Sequence, residues 1–152
     1  MRFLKESLIP APVSRVFAFH EAPGALEKLI PPWEKVRVVQ RGESLAPGAI
    51  VIMKMKVGPF WVTWKARHTL YEKDVLFQDM QDSGPFAKWL HTHRFVEDPS
   101  GGTRLIDDVE YELPLGKLGA IFGGALVRAQ LEKMFAYRHQ VTREACAPTT
   151  NS

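Results

Sequence analysis

The sequence has only one cysteine, Cys146. A lone thiol cannot form an internal disulfide, and it leaves no second thiol for a cysteine-based metal site. Because disulfides persist in oxidising compartments, a chain without a cysteine pair fits a reducing one. We therefore expect a cytoplasmic protein.

Long uncharged segments are missing as well. Residues 118–127 carry no charge, but they include three glycines and fall far short of the roughly 20 apolar residues of a membrane span. At the start of the chain, Lys5 and Glu6 interrupt the apolar core that a signal peptide needs. We expect a soluble chain with no membrane insertion.

A strong excess of one charge is also absent. The chain has 20 basic and 17 acidic residues, for a formal net charge of +3. The basic residues are scattered along the sequence and form no cluster that would follow a phosphate backbone. We predict no nucleic-acid partner.

What the sequence does contain is enough apolar material for one core. Its 152 residues are 45% hydrophobic and 24% charged, close to an ordinary globular composition. This length supports one well-filled core and is too short for two. We predict a single domain over residues 1–146 and a flexible tail over residues 147–152.

Hydrophobic periodicity predicts the order of the elements. A strand at 2–9 precedes two short helices that end before Pro31. A period of two then indicates strands, and a period near 3.6 indicates one long helix over about 120–144. The inward stripe predicted for that helix is Ile121, Ala125, Arg128, Leu131, Phe135 and Arg138, widened by Val127, Met134 and Val141. The predicted strands after the short helices are near 36–40, and at 50–57, 60–71, 75–81, 86–97 and 103–111.

Two of these strands have polar, potentially reactive side chains on the face predicted to point inward. Trp89, His91, His93 and Phe95 alternate with Leu90, Thr92, Arg94 and Val96. On the next strand, Thr103, Leu105, Asp107, Val109 and Tyr111 alternate with a set that holds three acids and an arginine. Because the charged set belongs in water, Asp107 and Tyr111 are predicted to face the core.

Three motifs resemble the START/SRPBCC superfamily, and in particular its polyketide cyclase/dehydrase-like bacterial members. They are Gly84-Pro85-Phe86-x-x-Trp89-x-His91-x-His93-x-Phe95, Gly102-Thr103-x-x-x-Asp107-x-Val109-x-Tyr111-x-Leu113-Pro114, and Phe135-x-Tyr137-Arg138. The resemblance covers essentially the whole chain. It implies an α+β helix-grip fold, in which a curved antiparallel sheet of about six to seven strands wraps around a long C-terminal helix.

The resemblance also implies an internal cavity between sheet and helix. A mostly apolar pocket with a few polar groups is the usual form of a small-molecule site. The candidate ligand-binding residues are Met53, Met55, Trp64, His68, Asp79, Trp89, His91, His93, Phe95, Asp107, Val109, Tyr111 and Phe135.

The roles of His91 and His93 stay open on sequence alone. Two positions apart on a strand, they project to the same face. They could satisfy a buried polar network with Asp107, contact a ligand as acid or base, or bind a metal with Asp107 as a third ligand. For Asp107 itself, an imidazole or an arginine from the long helix, Arg128 or Arg138, is the expected partner. We assign no metal site and no cofactor.

Three functions follow from this pattern. The first is binding of a small hydrophobic molecule of lipid, polyketide or aromatic type. The second is a cyclase or dehydratase in which His91, His93 and Asp107 perform general acid–base catalysis. The third is an interaction module whose charged sheet face forms a homodimer or binds another protein.

Overall fold

The computed structural model describes residues 1–148 as one antiparallel sheet with three helices. The helices are α1 (Val13–Glu21), α2 (Ala25–Leu29) and α3 (Gly116–Cys146). The strands are β1 (Arg2–Ile9), β2 (Val36–Gln40), β3 (Ile50–Val57), β4 (Phe60–Glu72), β5 (Leu76–Ser83), β6 (Lys88–Glu97) and β7 (Thr103–Glu112). From residue 149 onward, the predicted tail lies outside the described residues.

The seven strands form a curved open sheet in the order β1-β7-β6-β5-β4-β3-β2. Strands β2 to β7 are sequential neighbours, and β1 joins the far edge by pairing antiparallel with β7. Two short helices follow β1 and a long helix ends the chain, so the predicted α+β architecture is confirmed.

The alternation of β7 places its functional side chains as the sequence predicts. Thr103, Leu105, Asp107, Val109 and Tyr111 are all buried, and the residues between them are exposed or partly so. On β6, Trp89, His91 and Phe95 are buried on the same face. Because β6 and β7 pair directly, His93 lies opposite Asp107 and Trp89 opposite Tyr111.

The stripe predicted for α3 is wrong over its first half. Ile121 is 73% exposed, and the face that meets the sheet carries Gly124, Leu131, Phe135, His139, Thr142 and Cys146. The helix also begins earlier than expected, at Gly116. Gly119 allows this start, because a Cβ at that position would lie 1.9 Å from the carbonyl oxygen of Pro114.

The outer side of the same half-helix is apolar and exposed. Leu115, Leu118, Phe122 and Leu126 are each more than 60% exposed. Within residues 1–148, no helix combines the length and the apolarity required to cross a bilayer.

The core consists of two apolar clusters on the concave face of the sheet. The first, under α3, joins Phe3, Trp64, Trp89, Tyr111 and Phe135 with four smaller side chains. The second lies under α1 and the end of α3; its members are Ile9, Ala11, Val16, Phe17, Phe77, Phe95, Leu105 and Cys146. Phe95, a candidate ligand-binding residue, therefore packs against α1 and lies away from most of the other candidates.

Candidate functional site

Asp107 lies at the centre of a buried polar cluster. Its Oδ1 accepts from His91 Nε2 at 2.7 Å and lies 2.9 Å from His93 Nδ1, and its Oδ2 accepts from His139 Nε2 at 2.6 Å. The Asp107 side chain is 6% exposed. One carboxylate thus satisfies three imidazoles, as the buried-network interpretation of His91 and Asp107 expects.

A second carboxylate, Asp79 on β5, faces the same two histidines from the other side. His93 Nε2 lies 3.3 Å from Asp79 Oδ2, and His91 Nδ1 lies 3.9 Å from that oxygen. The two imidazole rings lie close together, with their centroids 3.7 Å apart and their planes tilted by 36°. His91 and His93 are therefore held between two acids.

His139 is the functional residue that sequence reasoning missed. Neither Arg128 nor Arg138 contacts Asp107 as expected: Arg128 donates to the Arg2 carbonyl and Arg138 to the Leu29 carbonyl. His139 takes that place, with its Nδ1 2.7 Å from Ser7 Oγ. Its position one helical turn after Phe135 places it on the buried face, and this spacing was available in the sequence.

Three side chains of the cluster have pKa values shifted in different directions. Burial raises the pKa of Asp107, but the charge on His93 and hydrogen bonds from three histidines outweigh it and hold that pKa well below its usual value. For His93, burial lowers the pKa, and the carboxylates of Asp107 and Asp79 raise it above the usual value. Burial and the charge on His93 lower the pKa of His91. These directions favour the carboxylate form of Asp107, and they make His93 more readily protonated than His91.

Toward β3 and β4 the interior becomes apolar and aromatic. Trp64 packs edge-on against Trp89, with ring centroids 5.1 Å apart, and against Phe86 at 5.6 Å. Trp64 is 9% exposed, and its indole Nε1 has no hydrogen-bond partner among the described residues. The apolar side chains that border this wall are only partly buried; they are Met53, Met55, Phe86, Val127 and Met134.

The space at the polar end is small. A cavity of about 10 Å³ lies between the cluster and α3 and is bordered by His20, Leu29, His93, Leu105, Asp107, Arg138, His139 and Thr142. One water molecule needs about 10–15 Å³ measured this way. An organic ligand therefore has no room at this end in the conformation described.

The structure brings most of the predicted site residues together. His91, His93, Asp107 and Asp79 form the polar cluster, and Trp64, Trp89, Val109, Tyr111 and Phe135 form the adjoining apolar wall with Met53 and Met55 beside it. His68 lies opposite Asp79 on β4 and is buried. Phe95 alone belongs to the other apolar cluster.

His20, on α1, is a further histidine beside the cluster, with its ring centroid 6.3 Å from that of His93. Burial lowers the pKa of His20 from 6.5 to about 4. The unfolded chain therefore binds this proton first, and His20 stabilises the fold above pH 6.5 and loses that contribution as the pH falls to about 4.

We expect this linkage to change the free energy of unfolding by about 3 kcal/mol over that interval. Two-dimensional NMR of the histidine rings in metal-free protein measures the midpoint directly. A His20 midpoint near 4 is expected. An ordinary midpoint near 6.5 would contradict the burial argument.

Comparison with known proteins decides the family. The family model described as "Polyketide cyclase / dehydrase and lipid transport" matches residues 9–135. The chain belongs to this family. No curated protein matches the sequence.

Solved structures similar to this member of the polyketide cyclase / dehydrase and lipid transport family include three with different descriptions. A Thermus thermophilus protein is 20% identical, with 96% of this chain and 97% of that chain covered and a TM-score of 0.72. The Zhui aromatase/cyclase from Streptomyces sp. R1128 is 17% identical, with 96% and 90% covered and a TM-score of 0.62. At these identities, the similarity shows the fold alone.

The third is the nucleoside-diphosphate sugar epimerase from Corynebacterium glutamicum, which is 28% identical with a TM-score of 0.74. The match covers 93% of this chain but 28% of the epimerase chain. It therefore concerns one part of a much longer protein.

In this member of the family, the site pairs an apolar wall with a fixed polar cluster. Both ring nitrogens of His93 face carboxylates, Nδ1 toward Asp107 and Nε2 toward Asp79, and these carboxylates raise its pKa. The Trp64 indole can donate one further hydrogen bond. The family fits ligand binding or cyclase chemistry, and these groups could serve either.

Proposed function

We propose that this protein binds a small, largely apolar molecule that carries a carbonyl or similar acceptor. The ligand lies between the sheet and the first half of α3, with its apolar body against Trp64, Trp89 and Phe86. Its acceptor atom receives a hydrogen bond from Trp64. The family and its fold support ligand binding of this general kind.

The observation that carries the proposal is the unpartnered Nε1 of Trp64. Buried donors almost always have an acceptor, because an unmade hydrogen bond costs about 1–3 kcal/mol. Here the N–H group lies within an aromatic cluster that offers none. A ligand acceptor would supply the missing partner, and the surrounding rings would bury the rest of the molecule.

Access to this region supports the same placement. The backbone of α3 runs closest to β1, β7 and the two short helices. Met53 and Met55 on β3, and Val127 and Met134 on α3, are only partly buried although they border the core. Methionine side chains adapt readily to an irregular guest. The proposal therefore has the ligand enter from the apolar end.

The test uses two probes of nearly equal shape, 2-acetylnaphthalene and 2-ethylnaphthalene. Only the first has a carbonyl acceptor. We expect the wild-type protein to bind the ketone roughly 3- to 10-fold more tightly, the value of one net hydrogen bond. Isothermal titration calorimetry measures both affinities.

Two matched variants locate the effect. Trp64→Phe keeps an aromatic wall and should abolish the preference for the ketone. Trp61→Phe makes the same kind of change earlier on β4, at a side chain that is 46% exposed, and should leave the preference intact. A wild-type protein that binds neither probe, or an unchanged preference in Trp64→Phe, would refute the proposal.

The second candidate function is cyclase or dehydratase chemistry, with His91, His93 and Asp107 as the catalytic set. The observation that favours it is the position of His93 between the carboxylates of Asp79 and Asp107, which raise its pKa and so favour the proton that general acid catalysis would need. Asp107 would orient both histidines. A reacting carbonyl would have to come within about 2.6–3.2 Å of the donor.

We also propose a cytoplasmic location, since the lone Cys146 is buried and unpaired with any other thiol. A homodimer through the charged face of the sheet stays a prediction.

A further inference from the structure

Three potential metal ligands meet in the polar cluster. One atom each from Asp79, His91 and His93 lies within 4.8 Å of the other two. Asp79 Oδ2 is 3.3 Å from His93 Nε2 and 3.9 Å from His91 Nδ1. We propose that these three residues form a binding site for a divalent first-row transition metal ion.

The distances are close to those of a bound site. Two ligand atoms held about 2.1 Å from one ion lie about 3.0–3.4 Å apart. The Asp79–His93 separation already falls in this range. His91 Nδ1 is about half an ångström too far from Asp79 Oδ2, and the two histidine nitrogens are held only to within 4.8 Å, so the His91 ring has to rotate toward the other two ligands.

Asp107 sets the histidine tautomers that a metal requires. An ionised carboxylate only accepts hydrogen bonds, so His91 presents its Nε2–H and His93 its Nδ1–H to Asp107. The opposite nitrogens, His91 Nδ1 and His93 Nε2, are the ones that face Asp79. Both rings are therefore oriented with their metal-binding atoms toward the same point.

This arrangement has the support that metal-binding histidines normally have. Such a histidine usually donates its second N–H group to a carboxylate, which fixes the ring. Asp107 performs this for two rings at once, and it is held in turn by His139, whose other nitrogen contacts Ser7. The sequence analysis considered Asp107 as the third metal ligand. In the proposed site Asp79 is the third ligand, and Asp107 does not touch the ion but orients the two histidines.

A fourth nitrogen lies close by. His68 is paired opposite Asp79 on the neighbouring strand β4. Its Nδ1 is buried and has no hydrogen-bond partner in the described part of the chain. Folding alone gives no reason for that unpaired atom. It is not among the atoms that meet within 4.8 Å, so His68 is not counted as a ligand.

The donor set indicates which ions fit. Two imidazoles and one carboxylate suit Zn²⁺, Fe²⁺, Co²⁺ or Ni²⁺, whereas Ca²⁺ and Mg²⁺ prefer oxygen ligands. Three protein ligands also leave at least one position open to water or to a second molecule.

Cobalt titration tests the site without any activity assay. Untagged protein is stripped with EDTA, freed of chelator and titrated with CoCl2 at neutral pH, while visible d–d absorption is recorded. We expect one Co²⁺ per chain, and loss of the absorption when Zn²⁺ is added. Folded wild-type protein that binds no Co²⁺ would overturn the proposal.

Variants decide where the ion binds. Asp79→Asn should weaken Co²⁺ binding by about 100-fold or more, at least the loss seen when an outer partner is removed. Asp82→Asn makes the same change on the same strand at a more exposed residue paired with Arg67, and should not alter binding. If Asp79→Asn does not fold by circular dichroism, His91→Gln serves instead. Wild-type affinity in the folded variants would refute the assignment.

The outcome is independent of the proposed function. The naphthalene titrations are made on EDTA-treated protein, so the metal site can fail while ketone binding stands, and the reverse.

Discussion

Replacing Asp107 with alanine is expected to lower the free energy of unfolding by about 3–5 kcal/mol, since it removes one partner of a buried ionic cluster. The substitution leaves His91, His93 and His139 without their shared acceptor. It also removes a carboxylate that raises the pKa of His93. Urea denaturation followed by circular dichroism measures the loss.

The neighbouring residue on β7 provides the control. Asp108 pairs on the other face with Arg2, whose side chain is 66% exposed. Exposed ion pairs contribute about 0–1 kcal/mol, so Asp108→Ala should be nearly neutral by comparison. Equal losses in the two variants would show that the cluster is not the stabilising centre described above.

Phe135→Ala is expected to have a similar cost, about 3–5 kcal/mol, because it opens a cavity in a packed core. Phe135 is fully buried, stacks on Phe3 with ring centroids 5.3 Å apart and meets His91 edge-on at 5.2 Å. It joins α3 to β1 and to the polar cluster. The same denaturation measurement applies.

Phe122 is the matched control on the same helix. It is 84% exposed, so Phe122→Ala should change the free energy of unfolding by no more than about 0.5 kcal/mol. If Phe122→Ala cost as much as Phe135→Ala, the orientation of α3 described here would be wrong.

Local periodicity was sufficient to predict the faces of the strands. On β7, a run of charged residues alternates with Leu105, Asp107 and Val109, and a period of two leaves one consistent orientation. The same rule placed Trp89 and His91 on the inner face of β6. The face that each of these side chains occupies depends only on its neighbours along the chain, so it can be predicted from the sequence.

The orientation of α3 could not be predicted in this way. Its first half has apolar side chains on two opposite faces, for example Phe122 outward and Val127 inward. Periodicity then leaves no unique stripe. The close approach of Gly119 to the Pro114 carbonyl at the start of the helix exists only in the folded chain.

The partners in the site depend on tertiary distance. Strand alternation grouped His91, His93 and Asp107 as one set, but His139 and both arginines were equally placed to reach the acid. Similarly, nothing along the chain distinguishes Phe95 from Trp89, although the first meets α1 and the second α3. Which helix covers each end of β6 is decided by the packing of distant elements.

The indole N–H resonance of Trp64 tests the central claim most directly. The chain has four tryptophans, and Trp64→Phe identifies the relevant signal in a ¹⁵N-labelled sample. Addition of 2-acetylnaphthalene should move the Trp64 proton downfield as its N–H group gains an acceptor, while the signal of the outer Trp33 stays in place. A bound ketone that leaves the Trp64 signal unmoved would contradict the account.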